Sequence, residues 1–189
     1  MLIDKEKKEL QIKIVYFGPA MSGKTTSIRA LSELFGVQVT SIESSIGRTL
    51  FFDYFPLDYK NIEFQDDWKL KAHTYSTTGQ DFYIVTRPIT LQNADGIIFV
   101  ADSQKIAYER NLISWNELNS YFGDLLIDFP KIIAFNKQDL LDKFNYSIFL
   151  EKINYTKYNN IDIEFTTALN GEGMKESFDK VLSFLFKRK

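Results

Sequence analysis

The chain has 189 residues, enough to bury the core of one domain, and its net charge of -2 supplies no broad basic surface for nucleic acid. It contains no cysteine, which removes disulfides, thiolate metal sites, prenylation and palmitoylation. The opening "MLIDKEKKEL" lacks a signal peptide's apolar core and the second-position glycine that myristoylation needs, and no apolar run could span a bilayer. The expectation is a soluble, cytoplasmic protein without a lipid anchor.

The run "QIKIVYF" (residues 11–17), ended by Gly18, predicts a strand covered on both faces. Over residues 24–35, Ile28, Leu31, Leu34 and Phe35 recur at helical spacing. "TLFFDYFPLD" (49–58) and "WKLKAHTYS" (68–76) predict two strands that pair as an antiparallel hairpin across a polar stretch. "DGIIFVAD" (95–102) predicts a buried strand, followed by a helix over 105–122 with Tyr108, Leu112, Trp115 and Phe122 near one face. "KIIAFN" (131–136) predicts a third buried strand, residues 146–153 a short helix, and "IDIEFTT" (161–167) a last strand. From Glu172 onward, Met174, Phe178, Val181, Leu182 and Leu185 form an amphipathic stripe. Buried strands alternating with helices predict a single α/β domain over 1–189. Its form is a three-layer sandwich around about six mostly parallel strands with one antiparallel edge strand and helices on both faces.

The stretch "GPAMSGKTT" (18–26) follows the first buried strand and opens the first helix. Gly18 and the Gly23-Lys24-Thr25 run match the phosphate-loop spacing Gly-x-x-x-x-Gly-Lys-Ser/Thr. In that reading the loop Gly18, Pro19, Ala20, Met21, Ser22 and Gly23 wraps a nucleotide's phosphates and turns its backbone N–H groups toward them, Pro19 having none to give, and the helix that begins with Lys24, Thr25 and Thr26 adds its positive dipole end. Lys24 supplies a point charge between β- and γ-phosphates, and the Thr25 hydroxyl can ligate Mg²⁺. The alternative is an ordinary strand-to-helix turn that needs glycine for its backbone angles.

Three further stretches end later strands, where open α/β sheets bind ligands. In "NKQD", Asp139 can accept hydrogen bonds from guanine's N1–H and exocyclic amine, a pair adenine does not offer; Asn136 would face the other edge and the Lys137 stem a ring face. "TTALNGEG" (166–173) can bring a backbone N–H of the Thr167–Ala168–Leu169 turn to the guanine oxygen, or be no more than a glycine turn before a helix. In "TTGQDF" (77–82), Gly79 can offer its N–H to a γ-phosphate while Gln80 orients a water for in-line attack, the alternative being a tight turn with an exposed amide.

This order of motifs resembles a small Ras-like GTPase over essentially the whole chain. More narrowly, "GPAMSGKTT", "RTLFFDYFP", "TTGQDFY", "GIIFVADSQ" and "NKQDL" are similar to the prokaryotic MglA family, known for cell polarity and gliding motility. The resemblance implies a GTP/GDP switch that slowly hydrolyses GTP with Mg²⁺ and is acted on by a small roadblock-fold (LC7) activating partner. It places Thr49 in the first switch loop, closing on Mg²⁺ and the γ-phosphate, and makes Arg48 a candidate arginine finger in cis. The blander readings are a solvated Arg48 and a Thr49 that starts a strand. Most Ras-like proteins carry Asp where Ser76 stands, a departure the MglA branch shares, and many have glycine where Ala20 stands.

Two other residues draw attention. Asp53, the lone acid in "FFDYF", reads as outward-facing or as part of a partner contact, and His73 as an ordinary sheet residue. The main rival to a switch enzyme is a module that binds guanine nucleotide with little or no hydrolysis. A small-molecule kinase would leave "NKQD" and "TTGQ" without a role.

Overall fold

The structure is a computed structural model that describes residues 1–42, 52–59, 67–77 and 87–186. In chain order its main elements are β1 (Leu2–Asp4), β2 (Glu9–Phe17), α1 (Lys24–Leu34), β3 (Thr40–Ile42), β4 (Phe52–Tyr59), β5 (Lys69–Ser76), α2 (Arg87–Leu91), β6 (Gly96–Asp102), α3 (Tyr108–Phe122), β7 (Lys131–Asn136), α4 (Tyr146–Lys152), β8 (Ile161–Phe165) and α5 (Met174–Leu185).

The strands lie in the order β3-β4-β5-β2-β6-β7-β8, and β1 pairs with β2 off that path. β5, β2, β6, β7 and β8 run parallel. β4 is antiparallel to β5, with Tyr54 opposite Tyr75 and Tyr59 opposite Leu70, so the expected hairpin forms. The sheet is larger than expected from sequence, with eight strands. β1 and β3 have three residues each, too short for periodicity to mark them, and each joins antiparallel to a longer neighbour. The five-residue α2 was likewise unmarked.

β6 and β7 are buried at every position, as central strands covered on both faces must be. Alternate residues feed two cores. Ile12, Ile14, Tyr16, Ile98, Val100 and Ile132 pack under α1 and α5. Val15, Phe17, Ile97, Phe99, Ile133 and Phe135 pack under α2, α3 and α4. Gly96 lets α5 approach β6, because a Cβ there would lie 2.7 Å from Val181 Cγ2. With both faces occupied, the parallel strands leave one free margin where they end: Phe17, Ser76, Asp102, Asn136 and Phe165 all stop along it. No helix among the described residues is long and apolar enough to cross a membrane.

Candidate functional site

The loop after β2 is cramped at both ends. Gly18 has φ 147° and approaches β6 so closely that a Cβ would sit 2.3 Å from the Val100 carbonyl oxygen. Gly23 has φ 101°, and its Cβ would meet Asn136 Nδ2 at 2.2 Å. Larger residues fit neither place, so these glycines answer to packing as well as to turn geometry. Gly23 caps α1 without a side-chain hydrogen bond, and no acid stands in the first turn. The first N–H groups of the helix therefore have no side-chain acceptor, which suits them to an anion. Ser22 is fully buried, and its hydroxyl has no partner among the described residues. Met21, at φ 62°, projects into solvent, and Ala20 and Thr26 are half-buried.

Lys24 lies at the centre of this loop, buried, with Nζ donating to the carbonyls of Gly18 at 2.9 Å and Pro19 at 2.7 Å. Burial pushes its pKa down to about 7; the Arg87 guanidinium adds to the effect and Glu117 opposes it. Arg87 opens α2 and, itself buried, forms an ion pair with the half-buried Glu117 of α3. Glu117 also accepts from the Tyr121 hydroxyl at 2.8 Å. Cations and their counter-charges are thus gathered beneath the loop.

Asp53 was misread from sequence. Along β4, Phe55, Leu57 and Tyr59 are buried, while Tyr54, Pro56 and Asp58 are half-buried or exposed. Asp53 shares the parity of the inward set, so the two-residue strand period turns its carboxylate beneath the sheet margin and not outward. Its Oδ2 accepts from the Thr25 hydroxyl at 2.6 Å and from the Ser76 hydroxyl at 3.1 Å. Its backbone N–H donates to Ser76 Oγ at 3.2 Å. The carboxylate missing at position 76 is therefore replaced in space by one from the neighbouring strand. The signal was present in the spacing Asp53, Phe55, Leu57, but a lone acid in an aromatic run reads as surface decoration.

The later motifs converge through one side chain. Asn136 is 2% exposed, and its Nδ2 donates to the Ser22 carbonyl at 2.8 Å. Its Oδ1 accepts from the Ala168 N–H at 3.0 Å and the Thr166 hydroxyl at 3.3 Å. Both ends of the amide are engaged by protein, so Asn136 ties the phosphate loop to the 166–168 turn. Lys137 takes φ 68° and turns the chain, and its ammonium lies 2.8 Å from Asp102. Asp139 is exposed and accepts no hydrogen bond from the described residues. Thr167 is buried, with its N–H on the Glu172 carbonyl, and Leu169 is largely exposed. A cavity of about 430 Å³ opens beside this turn, between α1 residues Thr26, Arg29 and Glu33 and loop residues Ala168, Leu169 and Asn170.

The structure thus brings Gly18, Pro19, Ser22, Gly23, Lys24, Thr25, Asn136 and Ala168 into one connected group. Arg48, Thr49, Gly79 and Gln80 lie outside the described residues. His73 pairs with Tyr54, its Nδ1 lying 2.9 Å from the tyrosine hydroxyl, within the sheet.

Residues 1–185 match the model of the ADP-ribosylation factor (Arf) family. The chain is 34% identical over 145 residues to the mutual gliding-motility protein MglA of Myxococcus xanthus (strain DK1622), covering 73% of each chain. It is 23% identical over 188 residues to the Ras-related protein Rab-5B of Plasmodium falciparum (isolate 3D7), covering 97% of this chain and 82% of that one.

The Asn136 geometry has a direct consequence for stability. Asn136→Ala strands the Ser22 carbonyl and the Ala168 N–H without partners, which should destabilise the nucleotide-free protein by about 2–4 kcal/mol. Urea unfolding of wild type and variant checks this; a loss below about 0.5 kcal/mol would mean that the amide is dispensable to the loop assembly.

Proposed function

The chain belongs to the Arf family of Ras-like small GTPases, and on that premise we propose that residues 1–189 form one Mg²⁺-dependent switch of the MglA type, which hydrolyses GTP slowly until an activating partner engages it. Membership makes the protein a GTP-binding hydrolase; the rate, the partner and the role of each residue are the proposal. The observation that carries it is the Asn136 amide, which joins the phosphate loop, the "NKQD" turn and the 166–168 turn into one site.

In this reading the N–H groups of the 18–26 loop and α1 hold the phosphates, as the two cramped glycines and the uncapped helix favour. Lys24 exchanges the Gly18 and Pro19 carbonyls for phosphate oxygens, and a polyanion draws its lowered pKa back upward. Asp139 reads the guanine edge from its exposed position, the Lys137 stem covers a ring face, and Ala168 and Leu169 border the base.

The oxygen donors of Thr25, Asp53 and Ser76 fit Mg²⁺, a hard cation that is bound through one or two carboxylates plus phosphate. Thr25 would be the direct protein ligand with Thr49 joining it, while Asp53 orders the outer shell through Ser76. When bound, the ion neutralises charge on the β- and γ-phosphates. Gly79 holds the γ-phosphate, Gln80 orients the attacking water, and Arg48 stabilises charge in the transition state. The rival reading, a nucleotide-binding module without turnover, draws on the residues Ser76 and Ala20, and the placement of Asp53 weakens the first of these grounds. The MglA likeness supports a roadblock-fold activating partner.

Three measurements test these roles. Asp139→Asn should weaken GTP and admit xanthosine triphosphate; unchanged selectivity in competition binding would remove the guanine-pocket assignment. Asp53→Ala should raise the Mg²⁺ concentration that half-slows GDP release by about tenfold or more, with affinity for GDP in chelator little changed. Gln80→Leu and Arg48→Ala should each slow single-turnover phosphate release by about a hundredfold or more in the presence of a roadblock-fold partner. Rates equal to wild type would leave binding without catalysis as the better account.

A further inference from the structure

Asp102 closes β6 and is 1% exposed. A carboxylate at that depth keeps its charge only where partners satisfy it. Its Oδ1 accepts from the Gln104 backbone N–H at 3.1 Å and side-chain amide at 3.2 Å. Its Oδ2 has the Lys137 ammonium as nearest partner at 2.8 Å, with Gln104 Nε2 at 3.3 Å and Arg110 Nη2 at 4.0 Å.

The aspartate is held rigidly. Asn111 of α3, fully buried, grips its backbone on both sides: Oδ1 accepts from the Asp102 N–H at 3.0 Å, and Nδ2 donates to the Asp102 carbonyl at 2.8 Å. The segment after it is stitched to the segment after "NKQD" by Gln138 Nε2 to Ser103 Oγ at 2.8 Å and Phe144 N–H to the Ser103 carbonyl at 2.9 Å. Lys137 is different: a partly exposed, long side chain on a backbone already in the left-handed region. A lysine without an anchor loses considerable rotamer freedom when it is laid against a ligand.

We propose that Asp102 is a positioning residue of the nucleotide site, pinning the Lys137 ammonium so that the lysine stem lies ready along the base and thereby setting how long nucleotide stays bound. The inference rests on the reading of "NKQD" as the base-recognition turn. Asp102 touches no nucleotide. It acts by fixing Lys137 beforehand, so that less freedom is lost on binding and less is regained on release.

The test is release of a fluorescent GDP analogue from the full-length, GDP-loaded protein. Asp102→Asn keeps the shape and removes the charge, and should speed release roughly tenfold to a hundredfold. Lys137→Met should do the same, and the double variant should be no faster than Lys137→Met within about twofold. Arg110→Ala, which removes an exposed cation 4.0 Å from the Asp102 carboxylate, should stay within about twofold of wild type. The proposal is overturned if Asp102→Asn leaves release unchanged, or speeds it equally with and without Lys137, because the aspartate would then act through the fold. If Asp102→Asn does not fold, amine-resolved ¹⁵N NMR of wild type decides: a protected Lys137 ammonium supports the pin, and a solvent-averaged one removes it. Asp139→Asn is measured in parallel. Unaltered guanine selectivity there sinks the base-turn reading itself, whereas altered selectivity beside normal release in Asp102→Asn sinks this inference alone.

Discussion

A single buried amide holds the candidate site together. Asn136 ends β7 and reaches across to the Ser22 carbonyl of the phosphate loop and the Ala168 N–H of the turn after β8. Buried backbone groups need partners, so each loop depends on this side chain for its own satisfaction. The close approach also explains Gly23, whose missing Cβ makes room for the amide. Loops far apart in sequence are thereby held at fixed separations, which a ligand gripped at phosphate and base requires.

Charge is arranged around that frame. Lys24, Arg87 and Glu117 influence one another beneath the loop, and desolvation of Lys24 makes its proton easier to lose than usual. On the proposed reading, a polyphosphate would replace carbonyl dipoles with full negative charge, and binding and protonation of Lys24 would favour each other. On the neighbouring side, Asp53 gathers the hydroxyls of Thr25 and Ser76 into an oxygen-rich corner. The antiparallel pairing of β4 with β5 is what brings this acid within reach of Ser76. The "NKQD" turn has its own counter-charge in Asp102, supplied by β6 and steadied by α3.

The order of long elements was legible in the chain. Short apolar runs such as "KIIAFN" and "DGIIFVAD" read as strands covered on both faces, and the stripe from Met174 to Leu185 as a helix, which is how each is built. Motif spacing likewise located the loop after β2, because close backbone approach and a lysine at the helix start depend on local sequence alone. The three-residue strands β1 and β3 were not legible, since their pairing and not their pattern makes them strands.

Local spacing by itself determined the α/β alternation, the cramped glycine loop after β2 and the "NKQD" turn after β7, all properties of a few adjacent residues. Tertiary structure alone decided where side chains between motifs point. Asp53 turned inward because β4 took the register that buries Phe55 and Leu57, and Asn136 became a tie because two distant loops met at its amide. Both outcomes follow from long-range pairing, which no window of neighbouring residues contains.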